Sequence, residues 1–266
     1  MKGIQKHIVL ETKNLTIGYQ QKKIKKIIAS DVNLSINKGK FVALIGKNGI
    51  GKSTLLRTIS KVQNPLAGNV FFNEKNLQDY TNKELAAYLS LVLTERLPES
   101  QLTVFELISL GRQPYTNWVD KLSENDVEKI NWAIQLTEIS HLKEHRFYEL
   151  SDGQLQRVLI ARALAQDTDV IILDEPTAHL DMHQTYKTFQ LLRNLVDSTE
   201  KTIIISTHQI NLAIEVVDEL IIMDSTEVFS GKTDELIDQN KFENLFPKEI
   251  LNFNKRLRQF IISKNN

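Results

Sequence analysis

F-V-A-L-I-G-K-N-G-I-G-K-S-T, residues 41–54, is the stretch on which the reading of this chain turns. Val42 to Ile45 form an unbroken apolar run of strand length, and Ser53 to Ile59 read as the start of a helix. Between them Gly46, Gly51, Lys52 and Ser53 occupy the fixed places of G-x-x-x-x-G-K-[ST]. Glycines at these places let the backbone curl so that successive N–H groups point inward at a phosphate, and the helix N-terminus adds its partial positive charge. Lys52 is then expected to reach the outer phosphates, and the Ser53 hydroxyl to ligate Mg²⁺. A glycine-rich turn with no ligand would not need both the strand before it and the helix after it.

Outward from this loop, composition sets bounds. The chain has 266 residues, 41% hydrophobic and 25% charged, which suits an ordinary globular protein. Lys+Arg and Asp+Glu are equal at 33, so no global field gathers nucleic acid, and none is expected as a partner. The absence of cysteine excludes disulfides and thiolate metal sites and suits a reducing compartment. Neither a signal pattern nor an apolar run near membrane-spanning length is read, so any membrane role is expected to run through a partner. No internal repeat is visible.

Ahead of the loop, Ile8 to Glu11, Leu15 to Tyr19 and Val32 to Ile36 read as short alternating strands, with Gln20 to Lys26 a polar, basic hairpin tip. Tyr19 has two readings, strand packing or stacking on adenine. After the loop come a turn at Asn64 to Gly68, a strand at Asn69 to Phe72, and capping-box pairs Thr81/Glu84, Thr103/Glu106 and Ser123/Asp126 that each open a helix. Gly111 is expected to end the second of these as a C-cap. Residues from about 95 to 165 are thus expected to be a helical subdomain inserted between strands. Ser151 and Gln154 form another capping box, opening a helix with Leu155, Val158, Leu159 and Leu164 on one face. Val170 to Leu173, Thr202 to Ser206 and Leu220 to Met223 lack alternation and read as parallel strands buried on both faces. The tail from about 236 to 266 fits either a helix with a terminal hairpin or two helices, with Lys255 to Arg258 a solvated face. The expected class is α/β, a P-loop NTPase-like parallel core carrying an antiparallel β subdomain and a helical insert.

The buried run at 170–173 ends in Asp174-Glu175-Pro176. Downstream of a phosphate loop, Asp174 is expected to hold Mg²⁺ directly or through water, and Glu175 to polarise a water attacking the γ-phosphate. Helix N-capping is the alternative use of two adjacent carboxylates. His179 and His183, four apart, lack an evident third metal ligand.

With these motifs in order the chain resembles the ATP-binding cassette family, the nucleotide-hydrolysing subunits of transporters. The resemblance runs through Tyr19, G-K-N-G-I-G-K-S-T at 46–54, L-S-D-G-Q at 150–154, V-I-I-L-D-E-P at 170–176, H-L-D at 179–181, and His208. It implies a RecA-like core, ATP and Mg²⁺ as ligands, and a head-to-tail dimer in which each nucleotide lies between one copy's phosphate loop and the other's signature. The implied ATP contacts are Gly46, Asn48, Gly49, Gly51, Lys52, Ser53 and Thr54, with Tyr19 stacking adenine. Ser151, Gly153 and Gln154 would act across the interface, Asp181 would bridge the copies, and His208 would touch the γ-phosphate. Lys52, Glu175 and His208 are the implied catalytic set.

Two positions depart from the family pattern. Asp152 stands where a glycine is usual, and is expected to face away from the nucleotide. Thr94 stands where a glutamine usually helps bind the metal, leaving its own part in the metal site open. T-V-F-E-L-I-S-L-G-R-Q-P-Y-T at 103–116 is similar to a segment of ferric siderophore, haem and cobalamin importers. The resemblance therefore implies an importer ATPase of that group on the cytoplasmic face of the cell membrane, with a transmembrane permease as partner and an external binding protein acting indirectly. Haem or cobalamin is the alternative cargo. A soluble repair or translation ATPase is the alternative class, against which stand the lack of a long coiled coil and of a second cassette.

Overall fold

The computed structural model describes residues 7–21, 24–93, 100–116, 121–225, 227–243, 245–247 and 249–263. The first elements are β1 (Ile8–Gln21), β2 (Ile24–Val32) and β3 (Ser35–Asn37), followed by β4 (Phe41–Gly46) and α1 (Lys52–Ile59). Next come β5 (Ala67–Phe72) and β6 (Lys75–Asn76). β1 pairs antiparallel with β2, β3 and β5, and β5 with β6. The two short strands expected at 8–11 and 15–19 are one long strand. Its ladder to β5 shifts register between Lys13 and Thr16, across Asn14 at φ 48, and its ladder to β2 shifts between Leu15 and Gly18, so the strand is irregular there without ending. The expected polar tip at 20–26 is correspondingly shorter, because β2 already begins at Ile24.

α2 (Asn82–Leu85) and β7 (Leu89–Val92) lead into α3 (Val104–Ser109), α4 (Glu124–Leu136) and α5 (Asp152–Ala165). β8 (Val170–Leu173), α6 (Met182–Thr199), β9 (Thr202–Ser206), α7 (Ile210–Val216) and β10 (Glu219–Met223) follow. The second sheet has the order β11-β10-β4-β9-β8-β7, where β11 (Val228–Lys232) is its antiparallel edge and every other pairing is parallel. β4, β8 and β9 are buried at every residue, which is why none of them alternates in polarity. Their side chains still alternate in destination. Phe41, Ala43, Ile45, Ile171, Leu173, Ile203 and Ile205 enter the core shared with α3 to α7, whereas Val42, Leu44, Val170, Ile172 and Ile204 enter the one shared with α1 and the antiparallel sheet. Two apolar layers on one sheet leave its C-terminal edge as the place for a site, since the loops there need not bury apolar surface.

All four capping boxes form as the sequence predicts, at Thr81/Glu84, Thr103/Glu106, Ser123/Asp126 and Ser151/Gln154. Gly111 does not act as a C-cap. It lies inside a 3₁₀ turn at Leu110–Arg112, and a Cβ there would come within 2.3 Å of the Arg162 carbonyl oxygen, so its role is close approach to α5. The adjacent Arg112 is buried, its Nε donating to Asp126 at 2.8 Å and its Nη1 to the Ala165 carbonyl at 2.8 Å. Burial alone would raise the Asp126 pKa, but hydrogen bonds from Ser123 and the Arg112 partner outweigh it and hold the carboxyl below its ordinary value. The tail resolves into α8 (Thr233–Asp238) and a hairpin of β12 (Leu251–Asn254) and β13 (Gln259–Ile262), the hairpin option rather than two helices.

Candidate nucleotide site

The site lies where β4, β8 and β9 end. Gly51, at φ 115, is the N-cap of α1, a conformation only glycine adopts without strain, and a Cβ there would meet Ile28 of β2 at 2.2 Å. Gly46 needs its missing side chain for a different reason, since a Cβ would lie 2.4 Å from the Met223 carbonyl oxygen of β10. Between them the loop wraps Lys52, a residue only 4% exposed, whose ammonium donates to the carbonyls of Gly46 at 3.1 Å and Lys47 at 3.2 Å. Burial holds this amine below the ordinary lysine pKa, while Glu175 and Asp174 pull it back up. A buried cation whose hydrogen bonds go to loop carbonyls at a helix N-terminus fits an incoming anion, because phosphate oxygens would be stronger acceptors than either carbonyl.

Asp174 is the hub of the acidic side. Its Oδ1 accepts from the Ser53 hydroxyl at 3.1 Å and from Ser206 at 2.6 Å. The same Ser206 hydroxyl accepts the Glu175 amide at 2.8 Å. Ser206 is fully buried at the end of β9, and sequence reasoning did not single it out. Its signal was available in T-I-I-I-S, a lone small polar residue closing an apolar strand. Glu175 takes φ 50, rare for a residue with a side chain and costing about 1 kcal/mol. Its carboxylate Oε1 meets His208 Nε2 at 2.5 Å. Lys52, Ser53, Asp174, Glu175 and His208 thus converge from three strand ends. The oxygen set of Ser53 and Asp174 is the type that suits a hard divalent cation.

Tyr19 is half-exposed, with its hydroxyl sharing a 2.7 Å hydrogen bond with the Thr54 hydroxyl. That tie to the first turn of α1 was not anticipated.

The signature residues are built differently. Ser151 N-caps α5, its hydroxyl accepting the Gln154 amide at 3.4 Å and its own amide donating to Gln154 Oε1 at 3.0 Å. Ser151 and Asp152 are exposed, and a Cβ on Gly153 would sit 3.0 Å from Gln184 Oε1 of the same chain. Asp181 N-caps α6 by accepting the Gln184 amide at 2.8 Å. These bonds are local, and none of them reaches Lys52. Asp152 borders a cavity of about 640 Å³ that Asp174, Glu175 and His179 also line. Thr94 lies outside the described residues. Among the described residues no cluster of three or more His, Cys, Asp or Glu is placed to hold a metal, so His179 and His183 do not form one.

Residues 29–178 match the family model described as ABC transporter. The chain belongs to that family. It is 39% identical over 204 residues to the iron(3+)-hydroxamate import ATP-binding protein FhuC of Bacillus subtilis, covering 77% of this chain and 74% of that protein. It is 35% identical over 241 residues to the petrobactin import ATP-binding protein FpuD of Bacillus anthracis, covering 90% and 87%. A bacterial ABC transporter cassette solved as a dimer superposes with a TM-score of 0.72 at 30% identity, covering 84% of this chain and 98% of that one. The chain is therefore an ABC ATPase with the P-loop NTPase fold, binding and hydrolysing ATP. No helix among the described residues is long and apolar enough to cross a membrane.

Proposed function

We propose that this ABC cassette is the ATP-hydrolysing subunit of an importer that takes up a ferric siderophore or related iron chelate, bound to a transmembrane permease at the cytoplasmic face of the membrane. The observation that carries the ATPase half is the hydrogen-bonded cluster of Ser53, Asp174, Ser206, Glu175 and His208, with the buried Lys52 ammonium in the field of both carboxylates. The cargo half is supported by the iron-chelate importers among its relatives and by the G-R-Q-P segment at 111–114.

In this reading Lys52 and the loop amides formed by residues 46–54 bind the phosphates, and Tyr19 lies against the adenine. Ser53 and Asp174 are the residues that would hold Mg²⁺, which when bound neutralises phosphate charge. Asp174 is oriented by the two hydroxyls that donate to it. Glu175, fixed by Ser206 and facing His208, orients the attacking water and takes its proton at a carboxylate oxygen. His208 bears on the γ-phosphate beside that water. A second copy supplies Ser151, Gly153 and Gln154 over the same phosphate, with Asp181 near the two-fold axis. The Ser151 hydroxyl accepts within its own chain, so its proton remains to donate outward. Asp152, exposed at the helix N-terminus, would have to turn its carboxylate from the phosphates to avoid like-charge repulsion. A substrate-binding protein acts only through the permease.

Glu175→Gln tests the catalytic core of this reading. ATP turnover should fall by about 100-fold or more while ATP binding persists, since the amide keeps the shape but cannot accept the proton. Unchanged kcat would contradict the general-base role. For the cargo, deletion of the gene in its host should abolish uptake of radiolabelled ferric siderophore, and unaltered uptake of every iron chelate tried would overturn that half.

A further inference from the structure

The helix that follows His208 is held at its start by the far end of the chain. α7 lacks a side-chain N-cap, Gln209 making no such bond. Instead Asn211, in its first turn, grips β13 with both ends of its amide: Oδ1 accepts the Phe260 main-chain N–H at 2.8 Å, and Nδ2 donates to the Phe260 carbonyl at 3.2 Å. Asn211 thus pairs with the free edge of the hairpin as a strand residue would. The hairpin is itself anchored. Phe260 packs edge-on to Phe246 at 5.1 Å and to Phe253 at 5.1 Å, and Phe253 stacks on the fully buried Phe242 at 4.5 Å. Arg258, at its turn, pairs with Asp234 of α8 at 2.5 Å. His208 and Phe260 line the same groove of about 550 Å³ as Leu180 and Met182 of the segment around Asp181.

We infer that Asn211 is a positioning residue for His208: the C-terminal hairpin, through Asn211, fixes where α7 begins and so holds His208 against Glu175. An exposed asparagine that spends its whole amide on a distant main chain has no evident partner in the ATP cluster. It lies three residues beyond His208, in the first turn of the helix that follows it. The inference rests on the reading of His208 given above. It assigns the C-terminal extension a part in catalysis without contact to nucleotide.

The test uses the full chain bearing Asn211→Ala or Asn211→Asp, with His208→Ala measured alongside. Asn211→Ala should lower kcat about fivefold to tenfold at unchanged KM for ATP, normalised to nucleotide-binding sites. In the nucleotide-free protein it should speed amide hydrogen exchange at 207–213 as well as at 251–262. Asn211→Asp, which still accepts the Phe260 N–H, should recover part of both. Faster exchange confined to 251–262 with unchanged kcat would make Asn211 a mere fastener of the hairpin and overturn the inference. If His208→Ala itself left kcat intact, the reading of His208 would fail instead, so the two failures are distinguishable.

Discussion

The phosphate loop and the signature are both helix N-termini, yet the chain finishes one and leaves the other open. At the loop, Lys52 is buried, Ser53 and Ser206 converge on Asp174, and Glu175 is held by amide and side chain alike. At the signature, Ser151 and Gln154 satisfy only each other, and Ser151 and Asp152 face solvent. Polar groups pre-organised within one chain mark the half of a site that acts on its own ligand. A capped but exposed helix end carrying functional residues marks the half that acts on someone else's.

Lys52→Ala strikes the finished half and carries the largest expected effect. Removing the ammonium that the loop encloses should weaken ATP binding by about 1,000-fold, read by calorimetry or nucleotide fluorescence. It should leave the melting temperature unchanged or raised, because a buried amine with a depressed pKa costs stability in the folded state. Undiminished ATP affinity would contradict the assignment of Lys52 to the phosphates.

Asp126→Asn is smaller and addresses how the open half is held in place. The buried Arg112–Asp126 pair, with Arg112 also on the Ala165 carbonyl, ties the 3₁₀ turn and α4 to the far end of the helix that begins at Ser151. Leaving Arg112 buried without its carboxylate should cost about 3 kcal/mol in denaturant unfolding. Because the folded-state pKa of Asp126 is depressed, the pair's contribution is complete above the ordinary aspartate range. It fades as pH falls through the lower folded value, so variant and parent should converge in acid. A stability gap that widened on acidification would contradict this.

Much of this was legible in the sequence for definite reasons. The buried runs of β4, β8 and β9 announced a parallel sheet because burial on both faces erases alternation, and the capping boxes at Thr81, Thr103, Ser123 and Ser151 marked helix starts through local hydrogen bonding alone. The elements that escaped depend on distant partners. The continuity of β1 across residue 14 comes from β2 and β5 pairing on either side of a bend, and Gly111 is required by the backbone of α5 rather than by its own turn. Ser206 and Asn211 escaped likewise, since a buried serine or an exposed asparagine shows its purpose only when Asp174 or Phe260 is beside it.

The claim that the site is shared by two copies is tested most directly by sedimentation velocity on Glu175→Gln protein with saturating ATP, with and without Ser151→Phe. Glu175→Gln alone should sediment as a dimer. Adding Ser151→Phe should leave a folded monomer that binds ATP undiminished, its stability lowered only by the lost cap, about 1 kcal/mol. A dimer that persists after Ser151→Phe, or an ATP affinity in the monomer that falls with it, would contradict the shared site.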